Sequence, residues 1–335
     1  MPHPRVVIPT RAPATAAVDD IILPFQVDVL DVRGRVVRFG PAIDAILSHH
    51  GYPTPVAKLV GEATVLTVLL GSTLKFDGRF ILQTQSDGPV RMLVIDYATP
   101  DKVRACARFD AERVAAAMAS GTTNPGELLG HGHLAMTIDQ GPDTARYQGI
   151  VALEGNDLEC AAHEYFLRSE QIPTQVRLAV AEELRAGGNG ARHRWRAGGL
   201  LLQFLPQSPE RARRSDLHPG DVPQGMQLEE PPEDDAWVEA RSLVSTVEDI
   251  ELLDPELSAE QLLYRVFQER GVRVFRTKPL RAECSCSRTG VERMLRSFPQ
   301  DDRDLMVEKG RITVTCEFCS ATYVFAPTEV SEPAT

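Results

Sequence analysis

The chain has 335 residues, 43 % apolar and 25 % charged, enough to bury one large core with a smaller unit beside it. Its net charge of −11 disfavours a nucleic-acid or anionic-membrane partner. The excess is local, because residues 207–270 hold sixteen Asp and Glu against six Arg, a balance of −10.

Residues 1–21, opening MPHPRVVIPTRAPATAA, lack the roughly 7–15-residue apolar core of a secretory signal and are expected to form a flexible tail. No run reaches the about 18 apolar residues of a membrane span; the nearest, from Val56 to Leu74, is interrupted by Lys58, Gly61 and Glu62. A cytoplasmic protein is therefore expected, in a compartment where thiols stay reduced.

Residues 22–206 are expected to form an α+β domain with a largely antiparallel sheet. QVDVLDVRGRVVRF alternates around Arg33-Gly34, which predicts a β-hairpin. A helix over Ala42–His50 closed by Gly51 follows, then a longer buried helix with Thr54 as cap and Pro55 at its first position. GRFILQTQSDGPVRMLVIDY is two strands joined at Asp87-Gly88. KVRACARF, GHLAMTID, RYQGIVALEG, QVRLAVAEE and GGLLLQFLP supply further strands. A helix from Asp157 to Glu170 is capped by Asn156, and AGGNGARHRWRAGG carries a hairpin turn. Strands in antiparallel succession with interspersed helices indicate α+β architecture, not a doubly wound parallel sheet.

Residues 207–275 are expected to be an acidic linker, helical from 236. Apolar residues recur there at helical spacing in two helices, Ala236 to Ile250 and Leu262 to Phe267, with Ser258 and Gln261 as a capping box and Gly271 as a stop. The apolar faces are narrow, so a few contacts are expected to hold this segment on the preceding domain.

Four of the six cysteines lie near the end: Cys284 and Cys286 as CxC, Cys316 and Cys319 as CxxC. Two close pairs a few dozen residues apart have the spacing of a tetrahedral Cys₄ zinc site, one zinc per chain. RITVTCEFCSATYVF reads as strand, knuckle, strand. Val291, Met294, Leu295 and Phe298 offer one helical face for a small core over residues 280–326, followed by a tail, 327–335. A core that small needs the on the order of 10–16 kcal/mol that structural zinc adds to folding. By spacing alone the metal is either a staple or a sensor. Cys284 and Cys286 can bridge each other only under strain, and strained disulfides are the easily reduced ones. Cys106 and Cys160 stand alone and read as small hydrophobes. The histidines, including His49, His50, His131 and His133, assemble into no site. No P-loop, GxSxG or dinucleotide fingerprint is present, so the chain is not expected to be an enzyme.

Together, ECSCSRTGVERML…TCEFCSATYVF, LKFDGRFILQTQSDGPVRMLVIDY, RYQGIVALEG, EYFLRSEQIPT and GGLLLQFLP, in this order over residues 22–326, resemble the bacterial redox-regulated thirty-three-kilodalton heat-shock chaperones. The resemblance implies an ATP-independent holdase that binds unfolded client proteins under oxidative stress. It implies Cys284, Cys286, Cys316 and Cys319 as zinc ligands in the reduced, inactive form. It further implies disulfides Cys284–Cys286 and Cys316–Cys319, zinc release, and a homodimer in the oxidised, active form. Ser320 departs from the family's frequent Gly, and the tail and residues 207–233 are longer than usual. Two other readings remain, a constitutive zinc-ribbon interaction module and a thiol–disulfide oxidoreductase; the latter needs a βαβ context that is missing around Cys316.

Overall fold

The computed structural model describes residues 18–74, 77–141, 144, 146–187, 190–205 and 233–330. Most of it is two sheets with a long helix between them. The first sheet contains β1 (Ile21–Val27), β2 (Val32–Phe39), β8 (Thr174–Gly187) and β9 (Gly190–Phe204) in the order β1-β2-β9-β8, all antiparallel. The second contains β3 (Arg79–Ser86), β4 (Val90–Ala98), β5 (Lys102–Phe109), β6 (His131–Asp139) and β7 (Tyr147–Glu154) in the antiparallel order β5-β4-β3-β6-β7. Three short strands from late in the chain complete both: β10 (Arg273–Val274) and β11 (Lys278–Pro279) pair with β1, and β12 (Arg281–Ala282) lies parallel to β5. With its helices this is the expected α+β fold.

Helix α1 (Pro41–Ser48) leads into α2 (Thr54–Gly71), which fills the space between the sheets. Fourteen of the eighteen residues of α2 are buried. By length and composition alone α2 could cross a membrane, but its apolar surface is spent on the two sheets. Its Thr64 and Thr67 hydroxyls donate to the carbonyls of Val60 and Ala63, at 2.7 and 2.6 Å, so neither hydroxyl is left unpaired in the core.

The first sheet is apolar on both faces, as in strands with a layer on each side. Ile22, Val37, Val176, Val180 and Leu201 point at α2. Leu23, Phe25, Val36, Leu200, Leu202 and Phe204 point the other way. That second face is covered by α6 (Asp235–Ser245), α7 (Asp249–Leu253) and α8 (Ala259–Phe267). These are three helices where the periodicity predicted two, because Glu248 and Glu251 form a capping box of their own and Pro255 stops the turn. The expected box of Ser258 and Gln261 caps α8. The docking is wider than a few contacts: Trp237, Ala240, Val244, Leu252, Leu262, Leu263, Val266 and Phe267 are all buried against the sheet, with Phe267 tilted on Phe25 and Trp237 on Phe204.

Two buried arginines hold the middle of this layer. Arg196 Nε donates to the Leu253 carbonyl at 2.7 Å while its two terminal nitrogens grip Asp19 at 2.6 and 2.8 Å. Arg38 donates to the carbonyls of Asp254 and Leu257. The carbonyl of Leu253 at the end of α7, and those of Asp254 and Leu257 just beyond it, thereby accept from buried side chains. Gly198 makes room for that helix, since a Cβ there would lie 2.4 Å from the Leu252 carbonyl oxygen.

The first hairpin turns at Asp28–Asp31, with Asp31 left-handed at φ 50°. Arg33-Gly34 instead lies inside β2, and Gly34 serves close packing: a Cβ would meet the Leu201 carbonyl and the Phe25 ring, each at 2.3 Å. The cap of α2 is Pro53, one residue before the expected Thr54. Helix α5 (Leu158–Tyr165) is capped by the Asp157 side chain, not Asn156, and continues as a π turn over Phe166–Glu170. Two helices escaped the sequence reading, α3 (Ala111–Ser120) and α4 (Pro125–Leu129), although Asp110 and Asn124 cap them in the ordinary way. The hairpin of AGGNGARHRWRAGG pairs out to Gly187 and Gly190, and its two turn residues lie outside the described residues. So do residues 1–17 and 206–232, where the tail and the start of the linker were expected.

Replacing Gly34 by Val should lower stability by about 1–3 kcal/mol through overpacking. Thermal unfolding of the variant should show a lower midpoint with secondary structure retained; an unchanged midpoint would refute the close-packing role.

Candidate metal centre

After α8 the chain turns at Gly271, left-handed at φ 74°, and returns along both sheets. It pairs with β1 through β10 and β11, buries Leu280, and then runs beside β5, where Arg281 is level with Lys102 and Ala282 with Val103. The Glu283 amide donates to the Val103 carbonyl at 3.1 Å. This register delivers Cys284 alongside Arg104.

The remainder is a small layer of α9 (Arg288–Arg296), α10 (Gln300–Leu305), β13 (Val307–Glu308), β14 (Arg311–Thr315), β15 (Thr322–Phe325) and α11 (Pro327–Val330). Its core is Leu295, Ile312, Phe325 and Val330, with Val291 packed against it. Met294 and Phe298, expected in that core, are 44 % and 38 % exposed. A cluster of four buried side chains is far too little to fold alone.

All four predicted cysteines meet. Their sulfurs lie within 4.8 Å of one another, with Cys284 to Cys316 at 3.7 Å and Cys286 to Cys319 at 3.3 Å. Ligands about 2.3 Å from a tetrahedral zinc are about 3.8 Å apart, so the constellation fits such an ion and could hold one. Among the described residues it is the one His/Cys/Asp/Glu group with metal-binding geometry. The CxxC pair sits on the turn between β14 and β15, as the strand–knuckle–strand pattern predicted. Ser320 closes the knuckle in the left-handed region at φ 56°, a conformation that suits Gly; its hydroxyl pairs with His50 Nδ1 at 3.3 Å.

The surroundings of the sulfurs are unequal. Tyr323 donates its hydroxyl to Cys286 at 3.2 Å and pulls that thiol down to about 7. Burial pushes Cys284 up and Cys319 to about 12. Arg104 Nη1 lies 3.8 Å from Cys284 Sγ, and its guanidinium stacks on the Phe318 ring at 4.2 Å. His50 Nε2 is paired with the Phe318 carbonyl at 3.1 Å, and Arg108 binds Glu317 at 2.6 Å. Arg104, Phe318 and Tyr323 have no role in the sequence reading, and His50, expected to join no site, lies against the knuckle. Tyr323 alone carried a local signal, two strand positions from Phe325; the others meet only through the fold.

Cys160 is exposed on α5. Cys106 is 3 % exposed, but not in the main core: it lies on β5 between Arg104, which stacks on Phe318, and Arg108, which binds Glu317, with Glu317 and Cys316 of the knuckle close by. Burial pushes it to about 12. The knuckle context, a β-hairpin with no helix N-terminus at Cys316, does not provide what a thioredoxin-type CxxC uses to lower its thiol pKa.

The Hsp33 protein family profile matches residues 20–326. The 33 kDa chaperonin of Caulobacter vibrioides is 46 % identical over 319 residues, covering 94 % of this chain and 98 % of the relative. That of Pseudomonas aeruginosa is 37 % identical over 311 residues, covering 92 % of each. The crystal structure of the 33 kDa chaperonin of Thermotoga maritima shares the fold at a TM-score of 0.67 and 19 % identity, over 93 % of this chain and 96 % of that one. With its cysteine pairs at the end of a profile match spanning nearly its whole length, this chain belongs to the Hsp33 family.

Proposed function

We propose that the protein is a cytoplasmic, ATP-independent holdase, silent when its four cysteines hold zinc and active once they are oxidised. The observation that carries this reading is the apolar outer face of the first sheet. Three helices cover it, and their chain runs without a break through β10–β12 into Cys284. Anything that loosens the cysteine centre acts on the strand that ends the cover.

Zinc, bound by Cys284, Cys286, Cys316 and Cys319 as one ion per chain, would supply folding free energy to a unit with almost no core and keep its sulfurs as thiolates. Thiolates are the form that peroxide attacks. In each pair one sulfur attacks a peroxide oxygen, the O–O bond breaks, and hydroxide leaves a sulfenic acid behind. The neighbouring thiolate then displaces hydroxide as the S–S bond forms. Two sulfurs lose two electrons to one peroxide, which with two protons becomes two waters. Cys284 with Cys286, and Cys316 with Cys319, are the pairs that stay neighbours once the unit around them melts. Both disulfides together remove all four sulfurs from the metal.

The cover is then held by its own contacts. Each large side chain it buries contributes about 1.5–3 kcal/mol, against about 1–2 kcal/mol for every residue kept ordered. Such a layer is poised, and its strongly acidic composition opposes compaction. Its release bares Leu23, Phe25, Leu200, Leu202 and Phe204, a surface suited to unfolded clients and to a second copy of the chain in the oxidised state.

Three outcomes follow. Cys316→Ser should lose zinc and leave residues 280–326 unprotected in hydrogen exchange; full metal content would end the four-ligand assignment. Peroxide should release zinc and yield two local disulfides in peptide mass mapping, whereas main disulfides through Cys106 or Cys160 would contradict it. Phe267→Asp puts a charge into a fully buried site, at a cost of several kcal/mol. It should suppress aggregation of a denatured client while reduced and zinc-loaded. If that variant keeps its zinc, loses protection over residues 235–267 and still holds no client, uncovering the sheet is not the activating step.

A further inference from the structure

We propose that Arg104 is the residue through which the charge of the cysteine centre decides whether the C-terminal unit stays docked on the second sheet; the inference rests on the zinc-site reading above. Arg104 stands on β5 directly across from Asp96 on β4. Asp96, 5 % exposed, accepts from Arg104 at 2.7 Å and from Arg79 at 2.7 Å through the same oxygen. One buried carboxylate thus fixes two guanidinium groups, and the triad carries a net charge of +1. Arg104 turns its remaining edge to Cys284 Sγ and its face to Phe318, so it touches both halves of the cysteine centre, the CxC strand and the CxxC knuckle.

Two other charged ties across this junction are weaker candidates. Arg108–Glu317 and Lys102–Glu283 join side chains that are each 44 % exposed or more, and exposed pairs contribute about 0–1 kcal/mol. Arg104 is 20 % exposed and shielded by the knuckle itself, where screening is weaker and a charge partner counts for more.

The sign of the effect follows from charge. Four thiolates around Zn²⁺ carry −2, which attracts the +1 triad. Two disulfides carry none, so oxidation removes the attraction at the moment the unit loses its metal. Arg104 thereby adds an electrostatic release to the loss of folding free energy, and in the reduced state holds the sensor against the sheet that β12 extends. It acts on the sulfurs as a positioning residue.

Cys106 reports on this docking in the native chain, because the knuckle covers it between the two arginines. Reduced, zinc-loaded Arg104→Gln should keep one zinc, while a thiol reagent followed by peptide mass mapping should label Cys106 about tenfold faster than in the wild type. Arg104→Lys, which keeps the cation, should restore most of the protection. Phe318→Ala, which keeps every charge, should cost less than Arg104→Gln. In the unaltered protein, raising salt from about 0.05 to about 0.5 M should speed Cys106 labelling in the reduced form, since screening lengths shrink well below 10 Å, and leave it unchanged after oxidation. This arm needs no variant to fold. Equal labelling of Arg104→Gln and wild type at full zinc content, or salt-independent labelling of the reduced wild type, overturns the proposal. Wild-type protein that releases zinc on peroxide but gains no holding activity would instead overturn the holdase reading, and leaves the Cys106 result interpretable by itself.

Discussion

A sheet that is apolar on both faces needs two partners, and the rest of this molecule is arranged around that requirement. One face of the first sheet is met by α2, a helix so apolar that it has nowhere else to go. The other is met by α6–α8, whose sequence is acidic and amphipathic and which could stand in water on its polar side. The two covers differ in what their removal would cost. Exposing α2 would open both sheets and the largest core, while lifting α6–α8 would open only one face. The second layer is therefore the separable one, and it is the layer wired to the cysteines.

The wiring is backbone, not side chain. Residues 273–283 give up the chance to form a loop and instead zip along β1 and then β5, which places Cys284 in register with Arg104. Short strands at sheet edges are held by few hydrogen bonds, so such a seam opens locally at low cost. Its two ends are pinned by different forces: at the α6–α8 end by buried apolar contact and the carbonyl grips of Arg38 and Arg196, at the cysteine end by the charged contacts of Arg104, Arg108 and Lys102. On the proposed reading, a change at one end weakens the seam and hence the other, with no need for a signal carried through the core.

Much of this was legible in the sequence because it is local. Cysteine spacing, the alternation of β3–β7, the box at Ser258 and Gln261 and the apolar stripe of α8 all depend on residues within a turn or a strand of one another. What was missed falls into two kinds. Helices α3 and α4 had signals, Asp110 with Gly121 and Asn124 with Pro125, that went unread between two strong strands. Gly34 and the knuckle contacts had none: a glycine needed because a phenylalanine ring lies across it reads like a turn glycine until the partner strand is known. The same holds for Met294, on a side of α9 that the thin unit leaves uncovered, and for Phe298, which falls past the end of that helix.

Cys106 shows how the two kinds of information combine. As a lone cysteine in an apolar strand it reads as a small core residue, and its burial agrees. Its parity in β5 does not: Val103 and Ala105 face α2, so Arg104, Cys106 and Arg108 must face outward. An outward residue of a sheet with no helix layer on that side can be buried only by something that arrives from elsewhere in the chain, and here Glu317 and Cys316 of the CxxC knuckle stand beside it, with Tyr52. Two basic residues flanking a thiol on an otherwise solvent-directed strand face thus mark the landing place of an acidic, cysteine-bearing turn. That mark is written in the alternation itself, with Val103, Ala105 and Ala107 on one side and Arg104, Cys106 and Arg108 on the other. It is lost when the strand is read as one apolar run, because averaging over both faces hides the charge that only one of them carries.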